Sequence, residues 1–133
     1  MNISQAAKAS GLSAKAIRYY ERVGLTPEPI RGANGYREYT ARDLDILSFI
    51  QRSRSTGFSV EESRQLLSLY DNTDRHSAEV KALVEEKLQQ VDSQLQALLS
   101  MRDTLQALVG ACPGDEQSRC SIIDTLAEGQ EYV

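Results

Sequence analysis

Apolar side chains along this chain recur at helical spacing, and the longest such run lies in the second half. Between Ser77 and Gly110 there is no proline and no internal glycine. Over that stretch Val84, Leu88, Val91, Leu95, Leu98, Leu105 and Val109 alternate by four and three residues, with Arg102 at the one polar position of the seam. Alternation of this kind predicts a coiled-coil seam. At 1.5 Å per residue the helix is about 50 Å long. That is too long to bury its stripe against a small N-terminal module, so the expected partner is a second copy of the chain, in a homodimer.

The first half is more broken. An Ala-rich helix from Ile3 to Ser10 should stop at Gly11, and Ser13 stands where an N-cap opens a second helix, Ala14 to about Val23, ending at Gly24. Two short helices around a tight turn have the sequence form of a helix-turn-helix. Pro27 and Pro29 then prevent continued helix. Asn34-Gly35 predicts a hairpin with a type I′ turn, and Tyr36 and Tyr39, with Arg37 between them, fit a short aromatic strand. A helix-turn-helix followed by a small hairpin makes a winged module. Thr40 with Asp43 forms a capping-box pattern opening a third helix, whose stripe is Leu44, Leu47 and Ile50, flanked by Ile46 and Phe49, and which ends at Gly57. Ser59 with Glu62 repeats the pattern for a fourth helix carrying Leu66, Leu67 and Leu69, and Asp71 to Arg75 is a polar break.

Composition narrows the possible functions. The 133 residues are 41% hydrophobic and 26% charged, an ordinary globular balance with net charge -4. No apolar run is long enough for a membrane span, and the N-terminus lacks the pattern of a secretory signal, so a cytoplasmic protein with no membrane partner is expected. The charge is divided. Residues 1–64 hold ten basic and seven acidic side chains, a balance of +3, whereas residues 65–133 hold five and twelve, a balance of -7. An Arg-rich module on an acidic segment points to a polyanion at one end. Nothing in the chain forms an enzyme constellation: His76 is the lone histidine, and there is neither a Gly-rich phosphate loop nor a catalytic carboxylate pair.

The polyanion fits DNA. Ser13, Lys15, Arg18 and Tyr19 occupy the opening and one face of the second helix, the one expected in a major groove, and the wing adds Arg31, Asn34, Tyr36 and Arg37. Guanidinium groups suit phosphates and guanine edges. Alternatively, Tyr20, Tyr36 and Tyr39 are core residues of the module and the arginines are simply solvated.

The ordered set Ala16-Ile17-Arg18-Tyr19-Tyr20-Glu21, Gly24-Leu25, Arg31, Asn34-Gly35-Tyr36-Arg37 and Tyr39 resembles the MerR family of bacterial transcription regulators. The run Cys112-Pro113-Gly114-Asp115 followed by Cys120 resembles that family's copper-efflux branch. The resemblance spans essentially the whole chain. It implies a dimer on promoter DNA with an unusually long spacer, which metal binding distorts so that RNA polymerase can engage.

Cys112 and Cys120 are the candidate metal ligands. Pro113-Gly114 turns the chain after the first, and a short helix from Ser121 would place Cys120 at a helix N-terminus, where the thiolate is favoured. Two soft thiolates suit Cu(I), with Ag(I) or Au(I) as alternatives, whereas structural zinc wants four ligands. Ser77, read as the N-cap of the long helix, matches a position that the family supplies from the partner subunit and that carries cysteine in the divalent-sensing branches. Lys81, one turn on, is a candidate counter-charge. A redox switch, a zinc site completed by Asp115 or Glu116, and a thiol redox-sensing or other metal-sensing regulator of the same type remain alternatives. The tail from Glu128 to Val133 has no Cys or His to form a second metal site.

The expected fold is all-α with a small β-hairpin wing. It comprises a winged helix-turn-helix domain at 1–70, a linker at 71–76, a dimerisation helix at 77–110 that forms an antiparallel coiled coil, and a metal-binding loop with a short helix and tail at 111–133.

Overall fold

The structure, a computed structural model, describes residues 1–129; the last four residues of the tail lie outside the described residues. It divides into two compact units, Met1–Val84 and a second beginning at Glu85. The first contains α1 (Ile3–Ser10), α2 (Ala14–Arg22), β1 (Ile30–Arg31), β2 (Arg37–Glu38), α3 (Ala41–Ser55), α4 (Val60–Tyr70) and the opening of α5 (Ser77–Ala111). The second holds the remainder of α5 and α6 (Ser121–Glu128).

Local chemistry sets the helix starts. Asn2 with Gln5, Thr40 with Asp43 and Ser59 with Glu62 form reciprocal capping boxes at α1, α3 and α4. Ser13 Oγ accepts from the Ala16 N–H at 3.0 Å at the start of α2. Each cap satisfies an N–H that the first helical turn leaves without a partner. Gly11, in the left-handed region at φ 80°, ends α1 by donating its N–H to the Ala7 carbonyl.

Packing of the first unit runs through two clusters. Ala6, Ile17, Tyr39 and Leu47 form one; Tyr20, Leu25, Ile46 and Ile50 form the other; and Leu12 packs against both. Ile17 and Ile50 are fully buried, which contributes about 1.5–3 kcal/mol each. The buried Ser53 hydroxyl donates to Ser63 Oγ at 3.0 Å, so this polar pair between α3 and α4 is satisfied. Arg64 of α4 donates to the carbonyls of Gly24 (2.8 Å) and Val23 (3.0 Å), which fixes the C-terminal end of α2.

Three local expectations are corrected. The hairpin turn is not type I′, because Gly35 has φ 80° but no non-glycine residue among those described has positive φ, so Asn34 does not adopt the required conformation. Instead the Gly35 N–H donates to the Gly32 carbonyl and the Gly32 N–H to the Tyr36 carbonyl, a tight turn completed by a left-handed glycine. Asn34 Oδ1 accepts from the Tyr36 N–H at 3.1 Å, an Asx turn that holds the asparagine in place. The second strand is Arg37–Glu38, paired antiparallel with Ile30–Arg31, and Tyr36 and Tyr39 flank it. Finally, Ser77 is the first residue of α5 and not its N-cap. The His76 carbonyl accepts from Glu79 and Val80, which places the cap one residue earlier.

Candidate functional sites

The first site lies on the face of α2 and the wing. Ser13, Lys15, Arg18 and Tyr19 are all exposed, with Ile17 and Tyr20 buried on the opposite side of the helix. Arg22 lies over the Tyr19 ring at 5.6 Å from its centroid. On the wing, Arg31, Asn34 and Tyr36 are exposed, and Arg31 Nη1 donates to the Gly35 carbonyl at 3.0 Å, which stiffens the loop. A cleft open to solvent gathers Arg18, Arg31, Asn34, Tyr36 and Arg37 against the start of α1 at Asn2, Ile3 and Ser4. Five of the eight sequence-predicted residues therefore line one cleft, and Ser13, Lys15 and Tyr19 lie along the exposed face of α2.

The tyrosines divide. Tyr20 and Tyr39 are core, whereas Tyr36 is 73% exposed. Arg37 is only partly exposed, and its Nε–H donates to Glu21 Oε2 at 2.8 Å. The Tyr39 hydroxyl donates to Glu21 Oε1 at 2.5 Å. Burial first, and then the Glu21 carboxylate, push the Tyr39 hydroxyl far above its usual pKa, so it is a permanent donor. Sequence reasoning missed Glu21. The available signal was an acidic residue next to two tyrosines on the apolar side of an otherwise basic helix.

The second site is the loop between α5 and α6. Cys112 and Cys120 are half-buried free thiols whose sulfurs lie 3.5 Å apart. Gly114, at φ 64°, makes the turn after Pro113. Ser121 Oγ donates to the Ala111 carbonyl at 2.6 Å, which pins the start of α6 to the end of α5 and closes the loop. Cys120 is the N-cap residue of α6 and forms no side-chain capping hydrogen bond. Its pKa is nevertheless lowered, chiefly by the Ile123 N–H, then by the Cys112 thiol and the Ile122 N–H, against opposition from desolvation and the Asp124 charge. The helix N–H groups thus act on the sulfur through their partial charges. Among the described residues, no three His, Cys, Asp or Glu side chains gather as a metal-binding group. Ser77 and Lys81 are exposed, one turn apart at the start of α5.

The family model described as MerR HTH family regulatory protein matches residues 1–69, and that described as MerR, DNA binding matches residues 44–108. The HTH-type transcriptional regulator HmrR of Rhizobium leguminosarum bv. viciae is 50% identical over 129 residues, covering 97% of this chain and 99% of HmrR. The HTH-type transcriptional regulator CueR of Escherichia coli is 46% identical over 127 residues, covering 96% and 94%. Among solved structures, the transcription regulator PbrR691 of Ralstonia metallidurans CH34 in complex with lead(II) superposes with a TM-score of 0.83 at 32% identity, covering 95% and 98% of the two chains.

Proposed function

This chain belongs to the MerR family of transcription regulators, and from that premise we propose that it is a Cu(I)-responsive activator of copper-efflux and detoxification genes, with Ag(I) or Au(I) as alternative effectors. The observation that carries this reading is the 3.5 Å contact between Cys112 and Cys120, in a loop that holds no third sulfur and no imidazole. Two soft donors suit a soft univalent ion, whereas zinc would need two further ligands. The loop's own residues prepare the site: the Pro113-Gly114 turn and the Ser121–Ala111 bond hold the sulfurs together, and the start of α6 favours the Cys120 thiolate. Two thiolates around a univalent cation leave one net negative charge. The partner subunit's Lys81 offsets that charge, and the partner subunit's Ser77 supplies no third sulfur.

The dimer binds promoter DNA in the cytoplasm through Ser13, Lys15, Arg18, Tyr19, Arg31, Asn34, Tyr36 and Arg37. Most of these side chains position the protein on phosphates and do not read bases. A bound ion supplies strong bonds to both thiolates, and so a preference for the dimer state in which the loop is ordered. That state holds the two winged modules at a different angle, twists the promoter and lets RNA polymerase engage.

A second reading, a sensor of divalent ions, is favoured by the lead(II) complex of PbrR691. Anaerobic titration of Cu(I) and, in parallel, Pb(II) into the reduced protein, followed by X-ray absorption, separates the two. One Cu(I) per loop with two sulfur neighbours is the expected result. No uptake of Cu(I), or uptake with three or more donors, overturns the proposal.

A further inference from the structure

The wing has little to hold it in place. Each strand is two residues long, and an isolated hairpin of that size is marginal in water. Ile30 is 71% and Tyr36 73% exposed, so what apolar anchoring it has comes from the Tyr39 ring at its far end, buried with Ala6, Ile17 and Leu47. What orients it against α2 is polar. Arg37 and Tyr39, two residues apart in extended chain, project to the same side, and both donate to Glu21: Nε–H to Oε2 at 2.8 Å and the hydroxyl to Oε1 at 2.5 Å. The Glu21 side chain is only 6% exposed, so both carboxylate oxygens are spent on residues at the second strand. The main chain adds two more ties, the Tyr39 N–H donating to the Met1 carbonyl at 2.7 Å and the Met1 ammonium donating to the Tyr39 carbonyl at 2.9 Å.

A buried ion pair is a poor device for stability alone, because well-packed apolar side chains often do as well. Its strength lies in fixing geometry. A carboxylate with two differently aimed donors admits one arrangement, and here that arrangement sets the wing relative to α2. Glu21 is one turn beyond Arg18, which lines the DNA-facing cleft. Carboxylate and cleft are therefore on one helix, and moving the wing relative to α2 would alter the spacing between the two sets of proposed DNA contacts.

We propose that Glu21 is the positioning residue that locks the wing against the recognition helix, and that Arg37 serves DNA binding through Glu21 and not at a phosphate. This refines the place of Arg37 and rests on the DNA-binding reading for its consequence, whereas the clasp itself is a property of the free protein. Glu21→Gln keeps an acceptor for Tyr39 but removes the charge that holds Arg37. Arg37→Met breaks the clasp from the wing side, at a partly exposed position where misfolding is not expected.

Two measurements on the full-length dimer test this. In the free protein, NMR order parameters for residues 32–37 should fall in both variants from the rigid range, about 0.85, toward about 0.6 or below, with α2 unchanged. For DNA, the probe is a duplex enriched by the wild-type dimer from a random-sequence library. Both variants should bind it about tenfold more weakly, with a shallower salt slope as wing phosphate contacts are lost. Backbone protection should disappear on the wing side only, and the double variant should bind no worse than either single one. Unchanged wing order in Glu21→Gln overturns the clasp. Wild-type DNA binding by Glu21→Gln beside weakened binding by Arg37→Met overturns the assignment of Arg37, which would then contact phosphate itself. If the wild-type dimer enriches no duplex, the DNA-binding reading fails, and the order parameters still decide the clasp.

Discussion

Cys120 shows how much a single position can be tuned by its surroundings. Its thiol is acidified by the Ile123 N–H and by the Cys112 thiol, with desolvation opposing. A group whose folded pKa is lowered stabilises the folded loop above the pKa of the unfolded thiol, and that contribution fades as pH falls through the folded value. Cys112→Ala removes one of the lowering contacts. The pH midpoint for alkylation of Cys120 by iodoacetamide should therefore move up in this variant, toward that of an unstructured thiol; a midpoint that stays put would remove Cys112 from the cause. Ser77 is argued on donor count. It stands exposed at the first turn of α5, and in the proposed dimer, where the partner subunit's Ser77 faces the loop, a sulfur in its place would raise the proposed donor set from two to three. Ser77→Cys should thus widen the transcriptional response to zinc and lead, read with a reporter across a metal series, and an identical metal profile would count against Ser77 as the selectivity position.

Elements were legible in the sequence where their determinants are local. Thr40 with Asp43 and Ser59 with Glu62 are readable because a capping box lies within four residues, and both form as the spacing implies. Asn2 with Gln5 forms a third box that was overlooked at the chain's start. The hairpin was legible as a hairpin but not in its turn. Asn34-Gly35 suits two left-handed residues, yet Asn34 instead accepts from the Tyr36 N–H, and this side-chain bond selects a different turn. Glu21 was legible only as a position, an acidic residue on the apolar side of a basic helix; its pairing was not, since its partners Arg37 and Tyr39 lie 16 and 18 residues away and no local pattern marks them. The caps also yield a measurable expectation. Thr40→Ala leaves the Asp43 N–H without its side-chain acceptor, at a cost of about 1 kcal/mol, seen as a lower urea midpoint at unchanged slope. Because Tyr39 directly precedes this cap, wing order should be followed in the same variant, and the cap reading fails if the midpoint does not move.

For the molecule as a whole, the main question is what covers the α5 stripe. Leu88, Leu95, Leu98, Leu105 and Val109 are each more than half exposed, and their spacing is that of a seam. A run of large apolar side chains on a 35-residue helix is far more than scattered surface exposure, and it marks an interaction face. The stripe was legible in the sequence because its period is set by helix geometry alone, whereas its pairing as a seam stays a proposal. The exposures add that no other described part of the same chain covers those positions. A second copy is the proposed cover, and DNA binding follows from it, since two winged modules on one duplex gain from effective concentration what neither holds alone. Leu95, near the middle of the stripe, is the position to test. Leu95→Glu would bury a carboxylate against the partner's seam, so sedimentation at micromolar concentration should show monomers, and the thermal midpoint should lose its dependence on protein concentration. The isolated winged unit keeps its two core clusters, none of whose residues belongs to α5, so circular dichroism should retain the signal of α1 to α4 while promoter affinity falls by orders of magnitude. A Leu95→Glu protein that remained dimeric with full affinity would move the dimer interface elsewhere, and with it the route by which the ion proposed at Cys112 and Cys120 would act on the DNA.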